Sequence, residues 1–76
     1  MKPDTKRVFN YLWRNAHRRV PSSELLRNLR MADYRSRVSE IRKFLKIDDV
    51  LAIESRRIPG RRTHYYRLVP RKELAA

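Results

Sequence analysis

The sequence predicts an α+β domain: three short helices in a bundle, then a β-hairpin, with room for one short strand after the first helix. Three observations carry that reading. Apolar residues recur at helical spacing in three separate stretches before residue 46. Beyond it the pattern changes to two alternating runs of strand length. A Pro-Gly pair, holding the chain's one glycine, sits between those runs.

The first helix is expected from Asp4 or Thr5, as its cap, to Ala16 or His17. Val8, Phe9, Leu12 and Ala16 make its apolar stripe, and His17, Arg18 and Arg19 suit its negative end. Trp13 lies at the stripe's edge and is read as a core or lid residue, with an exposed partner anchor as the alternative. Val20 precedes a proline, is therefore extended, and can add an edge strand. Ser22 reads as the N-cap of a second helix, with Leu25, Leu26 and Leu29 on its apolar face and its end near Arg30. Asp33 caps a third helix through Leu45, where Tyr34, Val38, Ile41 and Leu45 form a narrow stripe. Its opposite side carries Ser36, Ser39, Glu40 and Lys43, with Arg35 and Arg37 on the shoulders.

Residues 46–49 are read as a connector. Val50 to Ser55 reads as one strand and Thr63 to Val69 as the next, with Tyr66 and Leu68 inward and Tyr65 and Arg67 outward. Between them Arg56 to Arg62 form a turn, with Pro59 and Gly60 at the central positions of a type II bend. Residues 1–3 are expected to be a flexible terminus, 4–70 the domain and 71–76 a short tail.

Charge narrows the function. Twenty Lys and Arg, fifteen of them Arg, face eight Asp and Glu, a net charge of +12 on 76 residues. A folded domain so basic most often meets a polyanion, and arginine's planar fork grips phosphates and guanine edges bidentately. Without cysteine there is neither a disulfide nor a thiolate metal site. His17 and His64 stand apart on different elements, and no glycine-rich phosphate loop is present. The expectation is therefore a non-enzyme without cofactor or metal. No apolar run is long enough to span a membrane, and the N-terminus lacks a secretory core, so a cytoplasmic protein is expected.

Two helices joined by a turn of about three residues, the second with a basic outer face, make a helix-turn-helix arrangement. The segments Val20-Pro21-Ser22-Ser23-Glu24-Leu25 and Arg35-Ser36-Arg37-Val38-Ser39-Glu40-Ile41-Arg42-Lys43, with the closing Tyr66-Arg67-Leu68, resemble the winged helix-turn-helix DNA-binding domains. The closest likeness is to their small phage- and plasmid-associated group, and it spans about residues 8–69. Phe44-Leu45-Lys46 stands where such domains usually have a glycine, and the link to the first hairpin strand is longer. The resemblance implies that the helix from Asp33 enters the major groove and that the hairpin, the wing, lies over adjacent backbone or minor groove.

On that geometry Arg35, Ser36 and Ser39 are the first candidates for base contacts, with Arg37 and Lys43 at the margins. Glu40 is read as pairing with Arg37 or Lys43 in preference to a cytosine contact. Backbone or minor-groove contacts are expected from Ser22, Ser23, Arg56, Arg57, Arg61 and Arg62. The expected partner is double-stranded DNA and the expected role transcriptional regulation. A homodimer, or cooperative binding on adjacent sites, is left open. The alternatives are a basic adaptor or inhibitor of an acidic protein such as a polymerase, and a recombination or replication accessory protein.

Overall fold

The structure, a computed structural model, describes residues 1–48, 50–61 and 63–74. It is α+β, with α1 (Pro3–Arg14), β1 (Val20–Pro21), α2 (Ser22–Asn28), α3 (Tyr34–Asp48), β2 (Leu51–Arg57), β3 (His64–Pro70) and α4 (Arg71–Leu74). The three strands form one antiparallel sheet in the order β1-β3-β2.

α1 starts at Pro3, whose missing N–H costs nothing in a first helical turn. Lys2 holds the cap position and Asp4 lies inside the first turn, beside the helix's positive end. Thr5 is likewise no cap: it is buried, and its Oγ1 donates to Glu40 Oε2 on α3, tying the two helices together. The helix stops at Arg14, earlier than its apolar stripe suggests. Asn15 ends it, its N–H and its side-chain Nδ2 both donating to the Tyr11 carbonyl.

His17, Arg18 and Arg19 therefore lie beyond the helix, and two of them have other work. Arg18 pairs with Glu24 of α2, which also accepts from the Tyr11 hydroxyl. The guanidinium of Arg18 is the first cause, and the Tyr11 hydroxyl a further one, that holds the Glu24 carboxyl below its ordinary range. A depressed carboxylate contributes stability that is fully present above the unfolded value, about pH 4.3, and lost as pH falls through the folded one. Glu24→Gln is expected to lower the melting temperature at pH 7 and to shrink the further loss on acidification from about pH 5 to 3. Melts followed by circular dichroism across that range measure both.

The corner between α2 and α3 lacks a glycine, and Arg30 takes the left-handed conformation there, with φ 51°. α2 starts with Ser22 as its first residue after Pro21, so Ser22 is 5% exposed and not a cap. Asp33 does precede α3. Its carbonyl accepts from the N–H groups of Ser36 and Arg37, and its carboxylate faces Arg37. The helix continues past Leu45 to Asp48, so most of the expected connector is helical, and Asp49 lies outside the described residues.

Val8, Leu12, Val20, Leu25, Met31, Val38, Ile41, Ile53, Tyr66 and Leu68 make the core, with Phe9, Tyr11, Leu29, Tyr34 and Leu45 packed at its margin. Trp13 stands outside this cluster, 58% exposed and stacked on Phe9 with ring centroids 6.2 Å apart. The stripe of α1 is wider than the face its neighbours cover. Leu26 is exposed for the same reason.

The hairpin is longer than its alternating runs indicate. Arg56 and Arg57 belong to β2, paired with Tyr65 and His64, and only the residues after them turn. The bend has the expected chemistry: Gly60 takes φ 77°, and the Arg61 N–H donates to the Ile58 carbonyl. Nothing lies within 4 Å of a Cβ placed on Gly60. Gly60→Ala should thus cost only its left-handed backbone, about 1–2 kcal/mol, read as a shift in the urea midpoint. Pro70 is the last residue of β3, and the tail begins with α4, whose Arg71 N–H donates to the Val50 carbonyl.

Candidate functional site

Pleating sorts the hairpin's side chains between two faces. Ile53, Ser55 and Arg57, with their partners Leu68, Tyr66 and His64, share the face that continues into the core. Glu54 and Arg56, with Arg67 and Tyr65, take the other. On that outer face Arg19 lies over the Tyr65 ring at 5.0 Å, and Glu54 sits between Arg19 (3.8 Å) and Arg67 (3.7 Å). Arg56 is therefore directed away from its neighbour Arg57.

The inner face and α3 border one groove. Arg35, Ser39 and Arg42, at i, i+4 and i+7 of α3, form one wall, with Val38 at its base. Ser55, His64 and Tyr66 form the other. No carboxylate is among these lining residues. Arg42 spans the groove's edge, donating from Nη2 to the Ile53 carbonyl (3.3 Å) and to Ser55 Oγ (2.9 Å). Burial pushes the Tyr66 phenol upward, with a smaller push from Tyr34, while Arg35 and Arg42 oppose it.

The remaining candidates divide clearly. Ser36 and Lys43 are exposed on α3, as are Arg35 and Ser39. Arg37 is withdrawn: its side chain is 15% exposed, its Nη2 lies 3.1 Å from Glu40 and its Nε 3.5 Å from Asp33. The pairing of Glu40 with Arg37 is thus present, and the Thr5 hydroxyl, then Arg37, holds the Glu40 carboxyl below its ordinary range. On α2 Ser23 is exposed and Ser22 is not. At the hairpin tip Arg57 and Arg61 are exposed around a shallow concavity with Ile58, Pro59 and Gly60. Arg57 Nε donates to the Arg61 carbonyl, which stiffens that tip. Arg62 lies outside the described residues.

Sequence reasoning singled out Arg35 and Ser39 but missed Arg42, Ser55 and His64. Arg42 could have been found, since it follows Arg35 and Ser39 on the same helical face. Ser55 and His64 carry no such local signal, because the register of the hairpin brings them there. As a chemical surface, the groove presents two guanidinium groups, two hydroxyls, an imidazole and a phenol, a set suited to anionic oxygens. No helix among the described residues is long and apolar enough to cross a membrane. No family model, curated protein or solved structure matches the chain.

Proposed function

We propose that this chain is a double-stranded DNA-binding protein of the winged helix-turn-helix kind, acting as a transcriptional regulator. In this reading α3 enters the major groove, and the hairpin is the wing, set on adjacent backbone or minor groove. The observation that carries it is the shared groove: the cationic side of α3 and the inner face of the hairpin border one concavity instead of facing opposite ways. The net charge of +12 supplies the long-range attraction.

Arg35, Ser36, Ser39 and Lys43 are the base-reading side chains, all exposed on α3. Arg37 shapes the helix through Asp33 and Glu40 and contributes charge without reaching a base. Arg57, Arg61 and Ser23 engage phosphates, and Arg56, on the hairpin's other face, adds a further cation. If about six phosphates are neutralised, log K falls against log salt with a slope near −5.

A second reading draws on Trp13, whose exposed ring on α1 suits a protein contact. It makes the chain an adaptor for an acidic protein, or an accessory in recombination or replication.

Anisotropy titration of a mixed-sequence duplex between about 0.05 and 0.3 M salt tests the proposal, followed by selection of bound sequences from random duplex. Arg35→Ala should remove about 1–3 kcal/mol of preference for the selected sequence while leaving random duplex nearly unaffected. Absence of duplex binding in dilute salt, with capture of acidic proteins instead, would replace it with the adaptor reading.

A further inference from the structure

We propose that the groove between α3 and the hairpin seats one backbone phosphodiester of the bound nucleic acid, and that His64 takes up a proton as that phosphate enters. The inference rests on the duplex-binding reading above and assigns a role to three residues that reading does not use: Arg42, Ser55 and His64.

The seat is built before any ligand arrives. Arg42 is held at two points, by the Ile53 carbonyl and Ser55 Oγ, and both bonds use one nitrogen of a group with five N–H donors. Its remaining donors are pre-oriented, which spares the entropy of ordering a long side chain on binding. Arg35 and Ser39 stand on the same wall, and Ser55 and His64 face them across the groove. A tetrahedral phosphate between those walls can accept from Arg42 on one side and from Ser55 and His64 on the other, locking the hairpin to the helix while Arg35 and Ser39 remain directed to the bases.

The charges around His64 are one-sided. From α3 it faces Arg35 and Arg42; from β2 its cross-strand partner is Arg57; from β3 the neighbouring lining group is the Tyr66 phenol. An incoming phosphate brings a negative charge beside the ring and favours its protonated form. Imidazole is the side chain whose ordinary charge change falls between pH 5 and 8. A group more readily protonated in the complex than in the free protein makes binding tighter as pH falls, and the slope of log K against pH counts the protons taken up.

The test measures affinity for a mixed-sequence duplex from pH 5.5 to 8 at constant ionic strength. Wild type should bind more tightly toward acid, by up to about tenfold per pH unit where one proton is taken up. His64→Gln should flatten that dependence while matching wild type near pH 8. His17→Gln, altered in the exposed turn after α1, should keep it. Replacing single phosphates of a selected duplex by neutral methylphosphonates, one position at a time, should identify one position that abolishes the pH dependence in wild type and leaves the already flat pH profile of His64→Gln flat. A wild-type affinity that is independent of pH, or a dependence surviving in His64→Gln, overturns the seat and leaves duplex binding standing. Failure of wild type to bind duplex at any pH in dilute salt overturns the functional reading itself.

Discussion

Ile41→Ala is expected to destabilise the domain by about 2–5 kcal/mol. Ile41 is fully buried on the inner side of α3, in the same cluster as Val8, Leu12, Val38 and Ile53. Three carbons are lost, and the hole that remains can close only if α1 or the sheet moves. Both are tied in place, α1 through Thr5 to Glu40 and the sheet through Arg42 to Ile53 and Ser55. A domain of this length has roughly 4–11 kcal/mol of total stability, so this one change consumes a large share of it. At about 4–8 °C per kcal/mol the melting temperature should fall by at least about 8 °C. A loss below about 1 kcal/mol in urea unfolding would mean that the core between α1, α3 and the sheet is not packed as described.

Arg57→Ala combined with Arg61→Ala should weaken duplex binding roughly 60-fold at about 0.1 M salt, from counterion release alone. Each phosphate contact removed contributes about 0.9 to the salt slope, so the slope should become shallower by nearly two. Both side chains are exposed at the tip, so the fold should change little, although the bond from Arg57 to the Arg61 carbonyl is also lost. The loss should be equal on selected and random sequences. A loss confined to the selected sequence would transfer these arginines from the backbone to the bases.

Features set by neighbouring residues were the legible ones. Pro59 and Gly60 announce their bend because the constraint lies within two residues. Val20 announces an extended segment through Pro21, and Tyr66 and Leu68 declare the inner face by alternation. Features set by a distant partner were not. Trp13 and Leu26 extend apolar stripes beyond what the opposing elements cover, and a stripe does not reveal its partner's width. Ser22 has the chemistry of a cap, yet the preceding strand pairs with β3 and carries it inward. Arg56 and Arg57 looked alike in a cationic turn, and only the pairing with Tyr65 and His64 sends them to opposite faces. The corner before α3 shows the same limit: no glycine marks it, and Arg30 adopts the conformation a glycine would have supplied, at about 1–2 kcal/mol.

The placement of β1 has a consequence for how the chain assembles. Val20 pairs with Tyr66, 46 positions further on (66 − 20). Closing a loop of that length costs about 3 kcal/mol of chain entropy. During synthesis this strand must wait until Tyr66 has emerged, while the helices on either side can already touch. Stopped-flow refolding should therefore show the hairpin docking onto the helices as the slow event, and pulse-labelling hydrogen exchange during refolding should find the Val20 amide among the last to gain protection.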